Sequence, residues 1–251
     1  MPEALLEFVK SHQDIDVFCL QEVYSNASRR VSDDSPVVRL NILEELTSLL
    51  PDHRVYFEPV VGQKYGLAIF VRKTIDVVDE GGFKIHDNPK YNGWGPGHSR
   101  KLQWMACRYN NQLFYILNVH GLWNGKGKKD SPSRLAQSMK IKHFMSHLKA
   151  PIILCGDFNL RPDTESLKIV GGGMNDLIQK YHVTSTRTSF YPKTERYADY
   201  VFTSSTVEVK KFEVMKEEVS DHTPLLVDFV LPSPGPIKVI ASPLHQAIAQ
   251  R

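Results

Sequence analysis

No run in this chain approaches the ~20 consecutive apolar residues that cross a bilayer, so stable membrane insertion is not expected. The first segment also lacks a signal-peptide pattern, because Glu3, Glu7 and Lys10 interrupt its apolar residues. The expected location is the cytoplasm, with secretion left open, since sequence upstream of Met1 would change that reading. Cysteine is scarce. Cys19, Cys107 and Cys155 are odd in number and lie in apolar, strand-like runs, which argues for reduced core thiols against a disulfide framework or zinc cluster. A large excess of one sign of charge is lacking as well. A net charge of +3 permits an anionic substrate but does not mark a nucleic-acid binder. Repeats, low-complexity tracts and linkers are absent. Gly171-Gly172-Gly173 lacks the Lys-Ser/Thr pair of a phosphate loop and reads as a flexible break.

What is present is enough for one large core without help from disulfides, in a chain of 251 residues. The expected domain is residues 1–231. Residues 232–251, rich in Pro and Ser with few large apolar side chains, read as a loosely attached tail. Apolar spacing predicts helices over Pro2–His12, Arg39–Leu50, Pro132–Leu148, Pro162–Val170 and Met174–Tyr181. Ser131 is the N-cap of the third. Strands are predicted at Val17–Leu20, Arg54–Glu58, Leu67–Arg72, Thr74–Val78, Leu102–Tyr109, Gln112–Val119, Arg196–Phe202, Val207–Met215 and Thr223–Val230. Asn110-Asn111 makes a tight turn between two of them. From Gly81 to Lys101 the pattern breaks into a Gly-, Pro- and Asn-rich loop carrying Tyr91 and Trp94. Those rings either stack on a ligand or cover the core edge. A second loop, Gly121–Asp130, carries Trp123 and three lysines. It either approaches phosphate or is simply solvated.

The chain is organised around the apolar run from Pro151 that ends at Gly156, with Asp157 and Asn159 following at once. Extended alternation puts the latter two on one side, where they suit a hard cation or a water held beside it. The alternative is a common Asx-turn. Other polar residues repeat this placement at or near the ends of buried strands: Glu22, Asn118 and His120, and Asp221-His222 just before the last strand. Asp199 lies inside a predicted strand, where Asp is disfavoured, so it needs a buried partner. Carboxylates with Asn suit Mg²⁺, and histidines suit proton transfer and phosphoryl binding. Metal-assisted phosphoester hydrolysis is the natural reading.

Gln21-Glu22, Asn118-Val119-His120, Gly156-Asp157-Phe158-Asn159, Ala198 to Phe202 and Ser220-Asp221-His222, in this order, resemble the motifs of the endonuclease/exonuclease/phosphatase superfamily over about Pro2 to Leu231. The resemblance implies an α/β fold, a four-layer sandwich of two packed mixed β-sheets flanked by helices. It implies Mg²⁺ as cofactor, with Mn²⁺ as a substitute, and Glu22 as its main ligand with Asp221 at the metal site. It implies that Asp157 and Asn159 orient the attacking water, that His120 binds phosphate or acts as an acid, and that His222 is catalytic and oriented by Asp199. Arg134 and Gln137 resemble a structural Arg-x-x-Gln element. Asn118, Trp94, Trp123 and Arg134 are the expected substrate-side residues. One departure stands out. Family members usually begin with a strand ending in a metal-site Asn, and this chain starts at the following helix, which leaves a sheet position empty.

The expected partner is a phosphoester, whether nucleic acid, phospholipid head group or small phosphate ester, and the expected state is a monomer. The alternative function is a non-catalytic phosphate-ligand binding module that retains the fold.

Overall fold

The computed structural model describes residues 2–31 and 38–232. The tail expected beyond Pro232 therefore lies outside the described residues. The chain runs α1 Pro2–Ser11, β1 Val17–Tyr24, α2 Ile42–Leu49, β2 His53–Val61, β3 Tyr65–Arg72, β4 Asp76–His86, β5 Arg100–Tyr109 and β6 Gln112–His120. It continues through α3 Pro132–His147, β7 Ile152–Asp157, α4 Glu165–Gly171, β8 Met174–Asp176, α5 Leu177–Lys180, β9 Asp199–Ser204, β10 Glu208–Val214 and β11 Leu225–Val230.

Six strands form a mixed sheet in the order β4-β5-β6-β7-β9-β8. Against it lies a second layer, divided among the described residues into a three-stranded sheet, β1-β3-β2, and a two-stranded one, β10-β11. The side chains between the layers include Ile69, Val71, Met105, Ile116, Ile153 and Val201, with Val17, Val227 and Phe229 packed against them. The other face of the six-stranded sheet buries Leu117, Leu154 and Phe202 against Ile141 and Met145 of α3 and Val170 of α4. The outer face of the three-stranded sheet carries α1 and α2 through Val9, Leu43 and Leu46. This is the four-layer α/β sandwich. Continuous apolar strands such as β3, buried along nearly its whole length, are what a strand covered on both faces requires.

Several predicted boundaries shift, each for a local reason. β4 runs on to His86, so the irregular stretch is shorter than predicted. Gly81 and Gly82 read as breakers, yet they sit in the ladder because the Trp104 ring and the Glu58 side chain lie over them, where a Cβ would collide. Met174–Asp176 pairs with β9 and is a strand, followed by the short helix α5. Asp199 starts β9 and is not inside it. Helix α2 begins at Ile42 and α4 at Glu165, the latter capped by Thr164 accepting from Leu167 N. The hairpin between β5 and β6 turns on Asn110 and Asn111, both at positive φ (48° and 62°), as a two-residue turn of this twist demands.

Candidate active site

Register brings the polar strand ends together. β6 and β7 are parallel with His120 opposite Asp157, and β7 and β9 are antiparallel with Asp157 opposite Asp199. These three residues thus stand in a row on neighbouring strands. Gly156, at φ 134° and pressed against the Val119 carbonyl, allows the close approach that ends β7 there. Asn159 does not follow by extended alternation. It is left-handed at φ 53°, and its backbone N–H donates to Asp157 Oδ1 at 2.7 Å. Its side-chain amide donates to Asp157 Oδ2 at 3.1 Å. The Asx-turn and the site residue are therefore the same feature: the turn fixes the carboxylate.

The Asp199 carboxylate accepts from His222 Nδ1 at 2.8 and 2.9 Å, which answers why an Asp stands at the edge of a buried strand. This turns His222 Nε2 toward Asp157 Oδ2, 3.9 Å away. Burial would lower the His222 pKa, but Asp199 and Asp157 outweigh it and hold it up to about 9. His222 is then an imidazolium at neutral pH. Burial raises the Asp157 carboxyl, opposed by His222 and reinforced by Asp199.

On the opposite wall, Glu22 lies within β1 at a bulge between Leu20 and Val23, not at a simple strand end, and its backbone is left-handed at φ 59°. The bulge turns its carboxylate outward, where the side chain stays exposed. The protein groups crowded around it nevertheless raise its pKa by desolvation, opposed by Arg100 and His222 and aided by Asp157 and Asp221. His120 Nε2 is 3.5 Å from Glu22 Oε1 and 3.9 Å from Asp157 Oδ2. Burial, then Arg100, His98 and His222, hold the His120 ring neutral.

Sequence reasoning missed Arg100. It is buried at the start of β5, with Nη1 2.8 Å from His98 Nε2 and 3.2 Å from the His120 ring nitrogens, and Nη2 donating to Pro96 O at 3.0 Å. Burial and Arg100 hold His98 down at about 3, so it accepts from the guanidinium as a neutral ring. Tyr65 is buried beside Glu22 and Arg100, where burial first and then the Glu22 charge push its hydroxyl pKa up. The sequence offered only an Arg two residues after His98, just ahead of the strand predicted from Leu102. Arg187 was not singled out in the sequence, and Lys128 only as one of three lysines in the 121–130 loop. Arg187 is strapped to His222 by a backbone bridge in a stretch that reads only as a polar loop.

Two expected substrate contacts are corrected. Asn118 is fully buried: its amide donates to Leu20 O (3.0 Å), Ala68 O (3.4 Å) and Gln103 Oε1 (3.3 Å), and it accepts from Gln21 Nε2 at 2.7 Å. It ties β6 to β1 beneath Glu22 and has no face left for substrate. Arg134 is buried as well, its guanidinium donating to the carbonyls of Leu122, Gly127 and Lys129. With Gln137 accepting from Leu122 N at 3.0 Å, it shapes the 121–130 loop from within. Asp221 Oδ2 accepts from Arg187 Nη1 at 2.7 Å, so one of its oxygens is already engaged. Trp94 is half exposed on the 87–99 loop, whereas Tyr91 tucks onto the core and donates to Gly95 O at 3.1 Å. Trp123 is half-buried with the Lys193 ammonium 5.3 Å from its ring centroid.

A model of the Endonuclease/Exonuclease/phosphatase family matches residues 2–222. Solved structures of similar fold include a mannosyl-6-phosphatase from Bacteroides thetaiotaomicron VPI-5482, at 23% identity and TM-score 0.71 over 92% of this chain and 90% of that one. Another is TDP2 from D. rerio in complex with a single-strand DNA product, at 18% identity and TM-score 0.67 over 91% of each chain. In sequence, UPF0294 protein VV2535 of Vibrio vulnificus (strain YJ016) is 31% identical over 133 residues, 49% of this chain. The match spans 42% of that protein's length, so the chain spans about two-fifths of the curated relatives it matches.

Proposed function

Since the chain belongs to the endonuclease/exonuclease/phosphatase family, we propose that its cleft hydrolyses phosphoester bonds with the help of a divalent cation. The observation that carries the proposal is the row His120, Asp157, Asp199 with His222 bound to its end, an imidazolium facing a carboxylate at 3.9 Å. The donor chemistry fits Mg²⁺ or Mn²⁺. Glu22 is a hard, exposed carboxylate, and Asp157 and Asp221 lie near enough to raise its pKa. Among the described residues no three His, Cys, Asp or Glu form a cage. Mg²⁺ is commonly held by one or two carboxylates and keeps water and substrate oxygens as its other ligands. Glu22 would hold the ion. Asp221, tied to Arg187, serves better as a link between that guanidinium and His222 than as a second ligand.

When bound, the ion supplies a Lewis-acid contact to a phosphoryl oxygen. Asp157, oriented by both hydrogen bonds from Asn159, takes the proton of the attacking water. His222, kept charged by Asp199, binds a phosphoryl oxygen and returns a proton to the leaving oxygen as the P–O ester bond breaks. Neutral His120 and charged Arg100 line the Glu22 side, where Arg100 adds positive potential for the phosphoryl group.

The test is hydrolysis of bis-p-nitrophenyl phosphate and p-nitrophenyl phosphate with Mg²⁺, Mn²⁺ or EDTA. Turnover should require the metal and fall by about a hundredfold or more in Asp157→Asn and His222→Ala, in line with the usual contribution of a general acid or base. Turnover that survives Asp157→Asn unchanged would sink the assignment. Phosphate binding without turnover would favour the non-catalytic binding module.

A further inference from the structure

Besides Arg134, whose guanidinium is satisfied by loop carbonyls, two buried cations near this cleft have no carboxylate within ion-pair distance among the described residues. Arg100 belongs to the Glu22 wall discussed above. The other is Lys128, on the His222 side. Its ammonium is almost wholly buried and donates to a single carbonyl, Tyr197 O, at 2.7 Å. It also lies 5.4 Å from the centroid of the Tyr191 ring. The Arg187 guanidinium stacks on that same ring at 4.1 Å. Arg187 is itself buried, gives Nη1 to Asp221, and its Nε has no partner among the described residues.

A buried ammonium satisfied by one carbonyl and a ring is costly. The cost shows in its pKa, which burial and then Arg187 pull down to about 8. The chain nonetheless builds this arrangement from both sides. Arg134 folds the 121–130 loop so that Lys128 turns inward, and the backbone bridge to His222 fixes Arg187. Around one aromatic ring, with Arg187 Nε still unpartnered, these two cations have only Asp221 within ion-pair distance among the described residues, so positive charge is in excess there even with Asp157, Asp199 and Glu195 acting on Lys128 from further off. Arg187 reaches Asp221, whose Oδ2 is 3.9 Å from His222 Nε2, so the pair of cations adjoins the proposed reaction centre.

We propose that Lys128, Arg187 and Tyr191 form a second anion subsite, which takes a non-reacting phosphate of the substrate. The inference rests on the hydrolase reading for its catalytic meaning, and it makes the preferred substrates phosphoesters that carry a second phosphate.

The experiment measures binding, not turnover. Metal-free protein in EDTA is titrated calorimetrically with fructose 1,6-bisphosphate and with fructose 6-phosphate, two probes that differ by one phosphate. Wild type should bind the bisphosphate at least about tenfold more tightly. Lys128→Met and Arg187→Gln should each reduce that ratio to near unity, with thermal melts confirming the fold. Tyr191→Leu, which removes the ring but neither charge, should reduce it partway. Equal affinity for the two probes in wild type would overturn the proposal, as would a preference that persists in both charge variants. Because this reading needs no metal and no turnover, it fails or stands separately from the p-nitrophenyl phosphate assay.

Discussion

The Lys128 ammonium binds its proton less tightly folded than unfolded, near 8 against an ordinary 10.5. Below pH 8 both states are protonated and the folded state carries the full desolvation penalty. Between pH 8 and 10.5 the unfolded chain holds more protons, so this residue makes stability rise with pH. Lys128→Met should flatten that rise and stabilise the ligand-free protein at neutral pH, by up to about 3 kcal/mol from the shift in pKa less about 1 for the lost hydrogen bond. Urea unfolding of both proteins at pH 7 and pH 10 checks it. If the two curves differ by the same amount at both pH values, the buried charge is not the cause. From sequence Lys128 was indistinguishable from Lys126 and Lys129. What separates it is the inward turn imposed by Arg134, a contact across the loop that no spacing rule encodes.

At the scale of the element, β1 shows how a strand can carry an exposed carboxylate without unravelling. Its bulge leaves Glu22 out of the ladder, and Asn118 of β6 bonds Gln21 and the Leu20 carbonyl, on the residues just before it. Asn118→Ala should cost about 2–4 kcal/mol, because it strands several buried polar groups at once. It should also reduce hydrolysis, since Glu22 loses its anchor. A chemical denaturation midpoint close to wild type would contradict this account of Asn118. The same element shows what was legible in the sequence. Continuous apolar runs marked β1, β3, β6 and β7, and the polar residues at or near their ends marked the cleft. Asn118 was legible as a polar residue at a strand end but not as an interior one, because its partners lie on other strands, nearly a hundred residues away in the case of Gln21. Gly81 and Gly82 misled for the opposite reason: their role is set by Trp104 and Glu58, not by their own preference for turns.

At the scale of the molecule, the cleft is floored by the six-stranded sheet and walled by two smaller ones. His120, Asp157 and Asp199 stand on the continuous ladder, Glu22 on the three-stranded sheet, and His222 at the entrance to the two-stranded one. The apolar contacts of β11 are only half-buried, unlike those of β3 and β6. Native-state hydrogen exchange should therefore rank amides of β10 and β11 well ahead of those of β6 and β7, since local opening is easiest where buried contacts are few. Equal protection in the two sets would show the walls to be as firmly held as the floor.

That division has a mechanical side. Among the described residues no ladder joins β1 to β11, so the carboxylate wall and the imidazolium wall are held together by side-chain packing and not by strand pairing. Such an assembly is compliant across its own mouth. A dianion bridging both sides would act as a strut, and the molecule should be at its stiffest when the cleft is filled.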